Sequence, residues 1–183
     1  MYQLATVEER IRVPPEKLGM SVKDAIVESA TEKFVGLIDK RLGIMLAIIS
    51  VEEIKEGRII AGDAGVHYNC VLKLLTYKPE LHEIVRGEVI DNTEFGSFVR
   101  IGPIDGLVHI SQLMDDFVSY DSKNSVFLGK QTKQTLKEKD LVVARLISSS
   151  LGKEENKISL TMRQEGLGAT HWIEEKKRKA KKG

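Results

Sequence analysis

The most informative part of the chain is the stretch Glu94-Phe95-Gly96-Ser97-Phe98-Val99-Arg100-Ile101, which is followed closely by Asp105-Gly106-Leu107-Val108-His109-Ile110-Ser111-Gln112-Leu113. Short apolar runs with glycines at the bends are typical of β-strands joined by tight turns. Gly96 lies between two phenylalanines and permits a bulge, so both rings can leave the strict two-residue alternation of a strand. The stretch therefore predicts two neighbouring short strands with Phe95 and Phe98 beside a glycine.

The side chains of this stretch suit single-stranded RNA, which exposes both base faces and phosphates. Flat aromatic rings stack on bases at about 1–3 kcal/mol per base. Arg100 is two residues from Phe98, on the same strand face, and could pair with a phosphate. His109, on the next strand, could stack on a base or donate to a phosphate. A phenylalanine of a small barrel is also often a core residue, so exposure and burial of both rings stay open.

The chain around this stretch predicts a small β-barrel, because short strands with glycine bends recur along it. The five predicted strands are residues 84–90, 97–101, 106–110, 141–148 and 157–162. We expect a five-stranded OB-fold domain over residues 81–175, in which Lys157, at the start of the last strand, is a further candidate RNA contact. Residues 115–139 exceed a tight connection and form an insertion, which in compact domains is usually functional or mobile.

The residues before this barrel predict a separate α+β domain over residues 1–80. A strand up to Val13 stops at Pro14-Pro15, and Ser21 with Asp24 gives the pattern of a helix N-cap. Apolar residues then recur at three- and four-residue steps, which predicts a helix that ends near Gly43. An apolar strand, the turn Gly62-Asp63-Ala64-Gly65 and a returning strand follow. The predicted order is β-α-β-β.

Composition excludes several classes of protein. The 183 residues are 42% hydrophobic and 30% charged, with a formal net charge of +1, which excludes a disordered chain. No apolar run approaches the roughly 20 residues of a membrane-spanning helix. Because the first residues lack a secretory signal and Cys70 is the single cysteine, we expect a cytoplasmic protein without internal disulfides. The sequence contains no motif for a catalytic site, a metal site or a cofactor, and we expect none of the three.

Charge is distributed unevenly along the chain. Residues 83–127 hold 3 basic and 8 acidic side chains, whereas residues 174–183 hold 6 basic and 2 acidic ones. The acidic segment opposes binding of a polyanion. We expect residues 176–183 to form a basic, flexible tail, which is usually a solvated chain end.

The barrel segment resembles the RNA-binding OB-fold repeat called the S-one motif, through Phe-Gly-x-Phe-Val at residues 95–99 and Gly-Leu-Val-His-x-Ser at residues 106–111. Further stretches make the whole chain similar to the larger stalk subunit of archaeal DNA-directed RNA polymerase, known as E prime, the counterpart of the seventh subunit of eukaryotic polymerase II. These stretches are Val13-Pro14-Pro15-Glu16, Asp39-Lys40-Arg41-Leu42-Gly43, Lys78-Pro79-Glu80-Leu81-His82-Glu83, Met114-Asp115-Asp116-Phe117-Val118-Ser119-Tyr120-Asp121 and Leu160-Thr161-Met162-Arg163-Gln164.

The resemblance implies a non-catalytic stalk subunit of the archaeal polymerase, in a heterodimer with the small helical stalk subunit. It implies a truncated ribonucleoprotein-like N-terminal domain that contacts the polymerase core near the clamp and aids promoter opening. It also implies an OB-fold domain that binds the emerging transcript, while nucleotidyl transfer belongs to the complex. The residues that map to the core contact are Pro14, Pro15, Gly62, Asp63, Ala64 and Gly65.

Two questions stay open at this point. Apolar side chains in and before the insertion either fold back on the barrel or meet the other stalk subunit; they are Met114, Phe117, Val118 and Tyr120. The alternative function is a free-standing OB-fold RNA-binding module in translation or RNA decay, which would share only the barrel with the polymerase family.

Overall fold

The computed structural model describes residues 1–152 and 156–182 and divides the chain into two compact units. The first unit contains Met1–Lys78, with Leu151 and Gly152, and the second contains Pro79–Ser150 and residues 156–182. Among the described helices, none combines the length and the apolar character that a membrane crossing requires.

A four-stranded antiparallel sheet in the order β1-β4-β3-β2 forms the first unit. Its strands are β1 (Tyr2–Val13), β2 (Ile38–Asp39), β3 (Gly43–Ile59) and β4 (Val66–Tyr77). The central strand β4 pairs with β1 along its full length, and with β3 through four register shifts. These shifts allow a 17-residue strand to bend with the sheet.

One helix, α1 (Val22–Phe34), covers one face of this sheet. The Ser21 hydroxyl accepts a hydrogen bond from the Asp24 amide at 3.2 Å, which confirms the predicted N-cap. Residues of the helix pack on alternate residues of the strands, and the core they form consists of Ile11, Val13, Ala25, Ile26, Ala30, Met45, Val51, Cys70, Leu72 and Leu74. The predicted β-α-β-β order and α+β class are therefore confirmed.

The predicted end of this helix is wrong. The helix ends at Phe34, and Gly36 takes a φ of +88° directly after it. Ile38 continues the apolar spacing of the helix in sequence, but it pairs with Ile44 in the sheet. Gly43 instead begins β3 with a φ of +80°, where a Cβ atom would lie 2.3 Å from the Tyr77 carbonyl oxygen.

The second unit is built on a closed five-stranded barrel, which confirms the predicted OB-fold. Five strands pair in the order β12-β7-β6-β5-β11, and β11 pairs with β12 to close the barrel. Inward-facing residues of all five strands are buried in its core, among them Val89, Val99, Val108, Leu146 and Leu160. The elements of the unit are β5 (Ile84–Thr93), β6 (Gly96–Arg100), β7 (Asp105–His109), β8 (Val118–Asp121), β9 (Val126–Gly129), β10 (Thr135–Leu136), β11 (Leu141–Ser150), β12 (Lys157–Thr161), β13 (Gly168–Ala169) and α2 (Thr170–Lys182).

The insertion between β7 and β11 folds into a three-stranded antiparallel sheet in the order β10-β9-β8. It is tied to the barrel through Asn92, whose amide donates to the carbonyl oxygens of Ser125 at 2.8 Å and Leu136 at 3.2 Å. The Phe127 ring is fully buried. The insertion is thus a small structured layer on the barrel.

In the C-terminal segment, where the sequence predicts a basic, flexible tail over residues 176–183, helix α2 continues to Lys182. Trp172 anchors this helix: its indole Nε1 donates to the Thr135 carbonyl oxygen at 2.9 Å, and its ring is buried. Gly168 has a φ of +116° and lies against the same ring, where a Cβ atom would be 2.7 Å from Trp172 Cε3. A long-range contact with β10 therefore fixes the first turn of α2 on the second unit.

Candidate nucleic-acid interface and docking tip

Phe95 and Phe98 form an edge-to-face pair on the outer surface of the barrel. Their ring centroids are 6.0 Å apart and their planes make an angle of 89°. The Phe95 side chain is 46% exposed, and Phe98 is half-buried. Gly96 between them is required by close packing, since a Cβ atom there would lie 2.4 Å from the Val108 carbonyl oxygen. The bulge lies in β5, between Val89 and Asp91, rather than at Gly96.

His109 lies directly beside this aromatic pair, because it is the cross-strand partner of Gly96. The Ser111 amide approaches its Nδ1 at 3.3 Å, and the Ser111 hydroxyl oxygen lies 2.9 Å from the same atom. A backbone amide can only donate, so Nδ1 accepts and the neutral ring carries its hydrogen on Nε2. The exposed His109 ring is therefore held in one orientation with a donor available for a phosphate or a base.

Arg100 is the last residue of β6, the strand that also contains Phe98. Carboxylates flank it on both sides. Its cross-strand partners are Glu88 on β5 and Asp105 on β7. The Arg100 Nε lies 3.3 Å from the Asp105 Oδ1. The Arg100 cation thus lies between the carboxylates of Glu88 and Asp105. Because both carboxylates repel a phosphate, Arg100 is a weaker phosphate ligand than its sequence position predicts.

Lys157 is exposed and lies at the start of β12, two residues before Ser159, which pairs with Leu107 on β7. The pairing places Lys157 toward the Asp105 end of the sheet rather than the His109 end. His109 and Asp105 are four residues apart on β7, or about 13 Å at the rise of a strand. The structure thus brings Phe95, Phe98 and His109 together, keeps Arg100 two residues from Phe98 on the same strand face, and places Lys157 toward the far end of the sheet from His109.

The candidate docking tip, called the tip below, comprises the turn Gly62-Asp63-Ala64-Gly65 and the neighbouring Pro14 and Pro15. Val13 pairs with Val66, so the end of β1 and the turn lie side by side. A Cβ atom on Gly65 would lie 2.9 Å from the Val13 carbonyl oxygen, and Gly62 has a φ of +88°. The structure therefore brings together the residues that the resemblance maps to the core contact.

Asp63 organises this tip. Its carboxylate accepts hydrogen bonds from Arg12 Nε at 2.7 Å, Arg12 Nη2 at 2.6 Å and the Gly65 amide at 2.9 Å. His67 Nε2 also lies 2.9 Å from it. The bond from Arg12, followed by those from Gly65 and His67, lowers the pKa of Asp63 well below its usual range. The turn is therefore locked to β1 and to β4.

Apolar side chains around the tip are left uncovered. Ile59, at the end of β3, is 76% exposed, and Ile60, Leu18 and Met20 are also exposed. Large exposed aliphatic residues close to a rigid turn are typical of surfaces that contact another protein.

The four predicted stalk-partner residues differ in how far their side chains are buried. Met114 is only 5% exposed, and the Tyr120 hydroxyl donates to the Asn92 carbonyl oxygen at 2.8 Å. Val118 is half-buried, whereas Phe117 is 73% exposed. Met114 therefore folds back into its own unit, and Phe117 is the residue of the four with most surface to offer.

Asp116 holds Phe117 in its exposed position. Its carboxylate accepts from the amides of Phe117 at 2.6 Å, Thr132 at 2.8 Å and Gln131 at 3.0 Å, and from the Thr132 hydroxyl at 2.8 Å. These bonds, the Thr132 amide foremost, lower the pKa of Asp116. Neither Asp116 nor Arg12 was predicted as a functional residue. Asp116 could have been noticed as an aspartate directly before an apolar residue in a turn-rich segment.

Two family models match the two units. A model described as "S1 RNA binding domain" matches residues 78–163. A model described as "SHS2 domain found in N terminus of Rpb7p/Rpc25p/MJ0397" matches residues 8–64. Both matches agree with the barrel and the sheet-and-helix unit described above.

Curated relatives extend the similarity over the whole chain. "DNA-directed RNA polymerase subunit Rpo7" of Sulfolobus acidocaldarius is 34% identical over 183 residues, with 100% of both chains covered. The protein of the same name in Saccharolobus shibatae is 36% identical over 180 residues, covering 97% of this chain and 100% of that protein. "Ribonuclease R" of Buchnera aphidicola subsp. Schizaphis graminum is 34% identical over 93 residues, but the match covers 50% of this chain and 13% of that protein.

The extent of these matches favours a polymerase subunit over a free-standing RNA-binding module. The ribonuclease shares only one segment with this chain, whereas the polymerase subunit is similar to both units from end to end. With full-length identity above 30% and both family models in the expected order, the chain belongs to the Rpo7 family of DNA-directed RNA polymerase subunits.

Proposed function

We propose that this chain is a non-catalytic stalk subunit of a DNA-directed RNA polymerase that docks on the polymerase core through its tip and holds the emerging RNA on its barrel. The observation that carries the proposal is the end-to-end similarity to polymerase subunits in a chain with a rigid tip and an exposed aromatic pair. Its part in promoter opening would follow from a contact near the clamp, as the family resemblance implies.

The tip supports docking on another protein. Asp63 and Arg12 fix the turn before any partner arrives, and a surface that is already ordered loses less conformational entropy on binding. The exposed Ile59 and Ile60 supply apolar area close to the turn. A rigid turn flanked by aliphatic side chains suits insertion into a pocket of a larger protein.

The barrel supports weak, sequence-tolerant RNA binding. Two base stacks contribute about 2–6 kcal/mol, which corresponds to a dissociation constant no tighter than about tens of micromolar. Carboxylates beside Arg100 reduce the electrostatic contribution from this face. A barrel tethered near the exit path of the transcript meets RNA at an effective concentration of roughly millimolar, so weak binding is sufficient there.

The insertion supports pairing with a second, small helical subunit. Phe117 projects from a turn that Asp116 holds through four hydrogen-bond donors. An exposed aromatic side chain on an ordered turn has the properties of an interface anchor. We propose Phe117 as the main contact of this region, with Val118 and Tyr120 at its margin.

A cross-linking experiment on a reconstituted polymerase tests the RNA part of this proposal. Polymerase containing this chain would be stalled with a transcript that carries 4-thiouridine at positions just outside the exit path. We expect cross-links to the peptide that contains Phe95 and Phe98, and their loss in a Phe95→Ala, Phe98→Ala double variant that still assembles. Cross-links confined to other subunits would contradict transcript binding by the barrel.

A further inference from the structure

A groove on the second unit lies outside the aromatic face described above. It separates α2 from the outer surface of β5 and β11 and has a volume of about 720 Å³. We call it the helix groove, and the six residues that define it are Ile84, Arg86, Leu141, Val143, Ile173 and Lys177. Glu174 is a carboxylate that also lines it. Helix α2 lies beyond residue 163, where the matched S1 region ends.

The helix groove combines an apolar floor with cations on both walls. Ile84 on β5 and Leu141 on β11 are 55% and 59% exposed. Arg86 is the cross-strand partner of Val143 and projects from β5. Lys177 projects from the opposite wall on α2. Nucleotides have this pairing of properties, with an apolar base and an anionic phosphate.

One carboxylate, that of Glu174, lines the helix groove together with the cations Arg86 and Lys177. Within the described residues, neither Arg86 nor the exposed α2 cations Lys176, Lys177, Arg178 and Lys179 form an ion pair. On other parts of the same unit, Arg100 is paired with Asp105 and Arg163 with Asp115. Lysines in and after the insertion, among them Lys130, Lys133, Lys137 and Lys139, are likewise outside the ion pairs of the described residues, so α2 and Arg86 hold one part of the positive charge that remains for a polyanion.

Helix α2 displays these cations in an ordered array. The Trp172 indole fixes its first turn to Thr135, and residues 170, 173, 174 and 177 share the side that faces the groove. An ordered helix places its charges at defined positions, which a frayed tail does not. Ordering before binding reduces the entropy that a ligand must overcome.

The helix groove also continues from the aromatic face. Strand β5 is shared by both surfaces: Glu88 is the neighbour of Arg100 on β6 and of Leu141 on β11. Arg86 is two residues further along the same outer face of β5. A strand of nucleic acid that leaves the aromatic pair could therefore follow the barrel surface across β5 to α2. This path passes the Glu88 carboxylate, which opposes a phosphate, so the case for nucleic acid as the occupant rests on the Arg86 and Lys177 cations and on the neighbouring aromatic face.

We infer that the helix groove binds the phosphate backbone of single-stranded nucleic acid between Arg86 and Lys177, with bases or sugars against Ile84 and Leu141. This inference extends the proposed RNA-binding function, which it takes as its starting point. The helix groove then supplies the electrostatic part of the affinity, while the aromatic face supplies stacking.

Two matched pairs of substitutions in the full-length chain test the inference. Arg86→Gln with Lys177→Gln removes both groove cations, whereas Lys176→Gln with Lys179→Gln removes two cations of the same helix that do not line the groove. Glutamine keeps helix propensity close to that of lysine. Binding of a fluorescent oligouridine and of the matching oligodeoxythymidine would be measured by anisotropy between about 50 and 200 mM salt, a range over which phosphate contacts change affinity strongly.

We expect the groove pair of substitutions to weaken RNA binding at the lowest salt by on the order of tenfold, because two phosphate contacts are lost, and to reduce the slope of log K against log salt by about 1.4. The control pair should change affinity less than about threefold, since surrounding charge alone is screened. Equal weakening of DNA binding would identify the phosphate chain as the ligand, and weakening for RNA alone would assign a role to the ribose hydroxyl.

Three results would overturn the inference. They are equal effects of the groove and control pairs, no measurable binding by the wild-type chain at the lowest salt, and unchanged RNA binding with weaker association to a polymerase protein. A Phe95→Ala, Phe98→Ala variant measured in parallel separates the two sites. If that variant binds normally while the groove variant does not, the proposed aromatic site fails and the helix groove stands.

Discussion

Arg12 and Asp63, which are 51 residues apart in the chain, form a two-point ion pair at one end of the first unit. The Arg12 guanidinium donates from Nε at 2.7 Å and from Nη2 at 2.6 Å to the two carboxylate oxygens. Such bidentate geometry fixes both orientation and distance. It joins the edge strand β1 to the turn between β3 and β4, and so determines the conformation that the tip presents.

Replacing Asp63 with Asn should destabilise the first unit at neutral pH. The folded-state pKa of Asp63 lies below its unfolded value of about 3.9. Its contribution to the free energy of unfolding is therefore present above about pH 4 and is lost as the pH falls through the folded pKa. Urea midpoints of wild type and Asp63→Asn should differ at pH 7, and the difference should begin to narrow below about pH 4 and close only in stronger acid.

Glu165→Gln provides the control for that measurement, because it removes one exposed carboxylate in the second unit without changing the tip. Its urea midpoint should follow the wild type at both pH values. If wild type and Asp63→Asn have the same urea midpoint at neutral pH, or if their midpoints move further apart in acid, the ion pair does not stabilise the tip.

Phe95→Ala should weaken RNA binding without loss of stability. The ring is 46% exposed, and one base stack contributes about 1–3 kcal/mol, so we expect a decrease of about 5- to 150-fold. Phe98→Ala should reduce both affinity and stability, because that ring is half-buried. Anisotropy titrations and thermal melts of the two variants measure these effects, with Leu81→Ala as an exposed apolar control. RNA affinity unchanged in Phe95→Ala would refute the stacking role.

Gly96→Ala should destabilise the barrel by about 1–3 kcal/mol, the usual cost of overpacking. A Cβ atom at this position would meet the Val108 carbonyl oxygen at 2.4 Å and separate β6 from β7. Gly19→Ala is the matched control, since no atom lies within 4 Å of its added Cβ. Urea denaturation should separate the two variants, and equal stabilities would show that the close approach at Gly96 relaxes freely.

Met114 and Phe117 should give opposite results although the sequence presents them as similar. Met114→Ala removes a buried side chain and should cost about 2–5 kcal/mol of stability. Phe117→Ala should leave stability within about 0.5 kcal/mol and weaken pairing with the small stalk subunit. Chemical denaturation and size-exclusion chromatography of the mixed subunits measure the two quantities. A Phe117→Ala variant that pairs as the wild type does would remove Phe117 from the proposed interface.

Local signals predicted much of the fold from sequence. The Ser21 cap begins α1 as expected, and short runs bounded by glycine give the five barrel strands. The end of α1 was predicted wrongly, because Leu37 and Ile38 continue the helical spacing. Pairing of Ile38 with Ile44 in the sheet outweighs that local periodicity, and no property of the local sequence reveals it.

Long-range contacts account for what the sequence did not predict. The last helix depends on a bond from Trp172 to Thr135, 37 residues away, whereas its composition alone is typical of a frayed basic end. The aromatic pair and His109 were found because they lie in one contiguous motif. The sequence does not predict the roles of Arg12 and Asp116, because most of their hydrogen bonds go to partners far along the chain.

Co-purification tests the central claim, that this chain is a stalk subunit docked through its tip. The tagged chain would be co-expressed with archaeal polymerase subunits, alongside Asp63→Asn and the control Leu81→Ala, and recovered proteins would be quantified by mass spectrometry. We predict that wild type and control recover the small helical subunit at equal stoichiometry together with the polymerase core, and that Asp63→Asn retains the small subunit but loses core. A folded, monomeric wild-type chain that recovers neither would contradict the account.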